Sequence, residues 1–113
     1  MAMLKVDRAQ FIESVQVLDG MIKRKRTAKA ILTFTDGVLS IKIANTSVDV
    51  YAVGDWPGTA KIGALTLLLS ISPPPAADPV TLSVEGDRMH IERRSTHCEW
   101  TESKRHRLTG PVN

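Results

Sequence analysis

A helix-sized segment followed by three strand-sized segments occurs twice in this 113-residue chain. A duplicated unit of this kind restricts the fold more than any single motif in the chain. The first unit opens with an amphipathic stretch, Asp7 to Ile22, followed by alternating runs at Ala28–Thr35, Val38–Ala44 and Ser47–Val53. The second opens with Ala64–Ile71 and continues with Val80–Glu85, Arg88–Arg93 and Thr96–Thr101. A short strand candidate precedes each, Met3–Val6 and Thr59–Ile62, so the order reads βαβββ-βαβββ.

Local chemistry supports these assignments. Phe11, Ile12, Val15, Leu18 and Ile22 recur at helical spacing and form one stripe. Asp7 is a suitable N-cap, and Gly20 weakens the last turns, so the helix is expected to end before Lys23. Asp36-Gly37 and Gly86-Asp87 sit between alternating runs as tight hairpin turns. In the second helix Ala64, Leu67, Leu68 and Ile71 share a face, with Thr66 and Ser70 opposite. Pro73-Pro74-Pro75 must stop it, because the residue before a proline is pushed out of helical geometry. Leu65, Leu69 and Ile71 read as core before they read as a partner contact. Trp56-Pro57-Gly58 reads as the connection between units, with Trp56 packed over a sheet.

Bulk composition excludes several classes. The chain is the size of one domain with a sufficient core. Its longest apolar run, around Leu67–Leu69, is far too short to span a bilayer, so no membrane partner is expected. Lys5, Asp7 and Arg8 interrupt the first residues before an apolar block forms, so no secretory leader is expected. The lone Cys98 excludes an intramolecular disulfide, and a cytoplasmic protein is expected. His97-Cys98 lacks the further ligands of a zinc site, and strand alternation sends the two side chains to opposite faces. No catalytic residue, metal site or cofactor is therefore expected, and no nucleotide-binding loop occurs.

The net charge of +3 is unevenly distributed. Residues 1–29 carry seven bases against three acids, and residues 30–85 two against five. Lys23-Arg24-Lys25-Arg26 is the densest run, expected as a loop directly after the first helix. Lys104, Arg105, His106 and Arg107 make a second cluster in a polar tail, residues 103–113. Such clusters suit a polyanion partner.

The phrases Ala30-Ile31-Leu32-Thr33-Phe34-Thr35-Asp36-Gly37-Val38-Leu39-Ser40-Ile41, Gly58 to Leu68 and Val80 to Ile91 carry a resemblance to a known family. Two βαβββ units over about residues 3–101 resemble one domain of the DNA sliding clamps, the bacterial polymerase III β-subunit and the eukaryotic ring clamp. The resemblance implies an α+β fold: a single clamp-like domain over residues 1–102, with units at about 3–55 and 58–102. Two helices would pack on one face of curved antiparallel sheets. It also implies a non-catalytic processivity factor of DNA replication or repair. Family clamps close six domains into a ring around duplex DNA and tether a polymerase or repair protein. A one-domain chain would need six copies, a homo-oligomer with sheet edges pairing between neighbours. DNA contacts would be sequence-independent and electrostatic, carried by Lys23, Arg24, Lys25 and Arg26 and by Lys104, Arg105 and Arg107. The helices themselves offer few bases: opposite its stripe the first presents Ala9, Gln10, Glu13, Gln16, Val17 and Arg24. The alternative from another class is a clamp-derived structural or adaptor oligomer that acts through protein–protein contacts without DNA.

Overall fold

Alternation of apolar and polar residues forms the strands, and one apolar stripe lays each helix onto them. A computed structural model describes residues 2–25 and 27–102. Its elements are β1 Ala2–Val6, α1 Arg8–Arg24, β2 Lys29–Thr35, β3 Val38–Ile43, β4 Thr46–Asp55, β5 Gly58–Gly63, α2 Ala64–Leu69, β6 Val80–Glu85, β7 Arg88–Ile91, β8 Arg94–His97 and β9 Glu99–Glu102. The fold is α+β: two helices and one large antiparallel sheet in the order β8-β7-β6-β1-β4-β3-β2-β5-β9. Basic residues Lys104, Arg105 and Arg107 in the tail, and Arg26, lie outside the described residues.

Strand β4 belongs to two ladders. Its first six residues pair with β3, Ile43 facing Thr46 and Val38 facing Tyr51. Its remainder pairs with β1, Val6 facing Ala52 and Met3 facing Asp55. The same division recurs near the end of the chain. There β8 pairs with β7, Arg88 facing His97, and β9 pairs with β5, Lys61 facing Glu99. The changeover is marked identically in both places. The Ala52 amide donates to the Gly37 carbonyl at 3.0 Å, and the Cys98 amide donates to the Asp87 carbonyl at 2.8 Å. The other ladders also match: Thr35 faces Val38 as Glu85 faces Arg88, and β1 pairs with β6 as β5 pairs with β2. The run expected as one strand, Thr96–Thr101, is thus two strands broken at Cys98. The run Arg88–Arg93 ends at Ile91, with Glu92 in a turn at φ 56°.

The core is a single cluster that includes Leu4, Phe11, Leu18, Ile22, Leu39, Ile62, Leu67, Leu82 and Met89. Helix α1 contributes Phe11, Val15, Leu18 and Ile22 to it. Asp7 caps the helix, its carboxylate accepting from the Gln10 amide at 2.9 Å. Contrary to expectation α1 continues past Gly20 to Arg24. A Cβ at Gly20 would meet nothing within 4 Å, so the glycine costs only its propensity, about 1 kcal/mol, against the burial of Ile22 in the next turn. Lys23 and Arg24 therefore stand in the last helical turn and not in a loop.

The second helix differs more from its expected form. It ends at Leu69, and Ser70 is buried rather than opposed to the core, its hydroxyl donating to the Leu67 carbonyl. Leu65 and Leu69, expected as core, are 37% and 52% exposed. The helices pack on each other; α1 also lies on β3 and β4, while α2 rests mainly on β5 and β2. Pro75, in the loop that follows α2, is buried.

Gly54 is where backbone chemistry and pairing meet. It holds φ at 146°, and a Cβ there would strike the Met3 carbonyl oxygen of the paired strand. Gly54→Val is expected to lower unfolding free energy by about 1–3 kcal/mol or more, read as a reduced urea midpoint. An unchanged midpoint would mean that the β1–β4 contact contributes little to the fold.

Candidate interaction surfaces

Of the seven candidate DNA-binding residues, the structure describes three, and it brings them together. Lys23, Arg24 and Lys25 are exposed at the C-terminal end of α1. Lys23 lies 3.4 Å from the Asp19 carboxylate in an exposed i,i+4 pair, which is worth a few tenths of a kcal/mol. The bases also suit the negative end of the helix dipole, about 0.3–1 kcal/mol each.

The rest of the outward helix surface is not basic. On α1 it carries Ala9, Glu13, Gln16, Val17 and Gly20, with Val17 65% exposed; on α2 it carries Leu65 and Leu69. Arg8 is committed to structure. Its Nε donates to the Pro75 carbonyl at 2.7 Å, and its amide to an Asp78 carboxylate oxygen at 3.3 Å.

Two grooves occupy matching places in the two halves. The first, about 440 Å³, runs between α1 and the β3–β4 hairpin and is lined by Gln10, Glu13, Ser14, Asp49 and Tyr51. Gln10 Oε1 accepts from the Tyr51 amide at 3.0 Å, where β4 changes partner. The second lies between α2 and the β7–β8 hairpin as two adjoining cavities of about 340 and 320 Å³, which share Ser70, Ile91 and Arg94. Ser14 and Ser70, the buried polar side chains among the described residues, line corresponding positions in the two. The grooves differ in character. Carboxylates Glu13 and Asp49 edge the first; Pro73, Pro75, Ile91, Met89 and Leu69 make the second largely apolar, with Arg93 and Arg94 at its rim. Arg94 donates to the carbonyls of Leu69 and Ser72, closing the C-terminal end of α2.

Sequence reasoning missed Arg93, Arg94 and the second groove. The signal that could have found them was the nine-residue stretch from Ala64 to Ser72 before the proline run, too short for a helix as long as the 17-residue α1. A shortened α2 leaves room between itself and the β7–β8 hairpin, although Met89 and Ile91 beneath remain buried.

Cys98 and His97 do not form a reactive pair. Cys98 is buried and His97 exposed, its Nδ1 3.8 Å from an Asp87 carboxylate oxygen. Burial pushes the Cys98 thiol above its ordinary value of about 9, and the Asp87 carboxylate adds to the rise against a smaller opposing effect of Arg88. Among the described residues no group of three His, Cys, Asp or Glu side chains could hold a metal ion. No described helix is long and apolar enough to cross a membrane. Searches of family models, of curated proteins and of solved structures found no match.

The Cys98 environment sets two measurable properties. A disulfide reagent at mildly alkaline pH should modify the native thiol at least roughly tenfold more slowly than the urea-unfolded chain, because the thiolate is the reacting species. The folded state keeps its proton longer than the unfolded state. The thiol's contribution to stability is therefore complete below about pH 9 and declines as pH rises through the raised native value. Equal labelling rates in the two states would contradict both.

Proposed function

We propose that this protein is a clamp-like subunit that assembles with copies of itself into a ring and holds duplex DNA by electrostatic, sequence-independent contacts. The observation that carries this reading is the repeated ladder. Every strand pairing of residues 2–55 has a counterpart in the same register involving residues 58–102. Both helices begin directly after their leading strands, at Arg8 and at Ala64. Matching ladders support a duplicated βαβββ unit, the arrangement of one sliding-clamp domain.

A body measuring 49 × 28 × 23 Å cannot enclose a duplex by itself, so encirclement requires several copies. Six is the number of domains that closes a ring in that family. The sheet offers edges for such contacts: the first half of β4 pairs only with β3, and β8 only with β7. A head-to-tail contact of this type closes into a ring when its rotation permits. The basic turn Lys23–Lys25 then recurs once per copy, which raises the local charge that one copy supplies weakly. The outer surface would remain open to a polymerase or repair protein.

A second reading is favoured by the outward helix surface, where Val17 and Leu69 are exposed and bases are scarce. On that reading the oligomer acts through protein contacts and does not hold DNA.

Sedimentation and DNA titration separate the two. The leading reading expects an oligomer whose affinity for duplex DNA falls steeply with salt. Replacing Lys23, Arg24 and Lys25 by alanine should weaken binding and reduce the log–log salt slope by about 0.9 for each phosphate no longer neutralised. A chain that stays monomeric ends the encirclement model. An oligomer with no salt-sensitive affinity supports the adaptor reading instead.

A further inference from the structure

The outer face of β4 and the groove beside α2 are complementary surfaces of the same chain. Along β4, Asp49, Tyr51 and Val53 alternate with buried Val50 and Ala52 and so share one face, and Asp55 follows at the exposed end of the strand. Tyr51 and Val53 are 70% and 77% exposed, the two most exposed large apolar side chains among the described residues. Half-buried Val38 lies opposite Tyr51, and Met3, 42% exposed, lies opposite Asp55. The result is an exposed apolar strip with a carboxylate at each end. The second groove is its converse: an apolar trough of about 340 and 320 Å³ with Arg93 and Arg94 on its rim, beside Glu92, whose carboxylate accepts from the Thr81 amide at 2.7 Å. Neither arginine has a carboxylate partner among the described residues. Lys5 stands opposite Val53 and is the one base within the strip.

A projecting apolar patch and a pocket that fits it, on different parts of one molecule, generate a heterologous contact between copies. We infer that Tyr51 and Val53 of one copy seat in the groove between α2 and the β7–β8 hairpin of the next, with Asp49 and Asp55 meeting Arg93 and Arg94. This rests on the self-assembly reading above and assigns its contact to a strand face and a groove in place of the free sheet edges. The groove exists because α2 stops at Leu69, so the shortened helix makes the socket. The two halves of the chain thereby take different roles: the strand of the first half is the plug, and the short helix of the second half frames the receptacle. Opposite charges at plug and rim also fix the direction of the contact, since groove against groove would set arginines against each other.

Sedimentation equilibrium of the full chain tests this with substitutions at exposed positions, each checked for folding by circular dichroism. Arg94 is left intact because it braces α2. Tyr51→Ala/Val53→Ala and, separately, Arg93→Glu should each weaken self-association roughly tenfold or more. Asp49→Lys, which reverses the charge set against Arg93, should do the same, and mixing that chain with the Arg93→Glu chain should restore a mixed oligomer, since one contact keeps the native charges and the other reverses both. If the unaltered chain assembles and Tyr51→Ala/Val53→Ala assembles equally well, this interface is wrong while self-assembly stands. If the unaltered chain is a monomer at every concentration, both fail.

Discussion

Each half of the chain lends its leading strand to the other. Strand β1 lies between β4 of its own half and β6 of the other; β5 lies between β9 of its own half and β2 of the other. Removing either half would leave a strand with one bare edge and an apolar face without its cover. The energetic consequence is cooperativity. Val6 and Val80, and Ala30 and Ile62, are buried and face each other across the two halves. Backbone hydrogen bonds and core burial therefore form together, which favours a two-state transition over independent folding of the units. The helices depend on this exchange as well, since α1 and α2 pack on each other across the junction.

Much of this architecture is legible locally. Turn residues with positive φ are named by their chemistry, Asp36 and Gly37 at 52° and 80° and Gly86 at 62°. Alternation correctly marks the buried faces of β1, β3 and β6, and the Asp7 cap fixes the start of α1. The misses have physical causes. A lone glycine on the solvent side of a helix breaks nothing when burial resumes one turn later, as Ile22 shows. The expected face of α2 is the buried one, at Ala64 and Leu67, but with leucines at four of its six positions Leu65 and Leu69 could not be told from the core. The break at Cys98 is invisible to pattern reading because the residue is apolar and buried like a strand residue. It is set by the change of ladder from β7 to β5, a matter of distant partners.

The candidate surfaces were less legible than the fold for a similar reason. A charge run such as Lys23–Arg26 is visible in one dimension. A groove is a relation between elements far apart in sequence, here α2 and the β7–β8 hairpin. Its origin lies in an inequality: α1 has 17 residues and α2 has six, although the ladders around them match. The repeated frame holds the register, and the unequal helices give the two ends different chemistry, acidic at Glu13 and Asp49 and basic at Arg93 and Arg94.

The pair Trp56 and Trp100 has an optical consequence. These are the chain's two tryptophans, and their rings meet edge to face with centroids 5.4 Å apart at an interplanar angle of 86°. Trp56 is buried, its indole nitrogen donating to the Leu32 carbonyl at 3.3 Å, while Trp100 belongs to β9 at the end of the sheet order. Intrinsic emission and near-ultraviolet dichroism therefore originate from one corner of the molecule, where β9 docks on β5. Such spectra view the fold from the corner where the last strand meets the sheet, and in a two-state transition that corner reports the unfolding of the whole molecule.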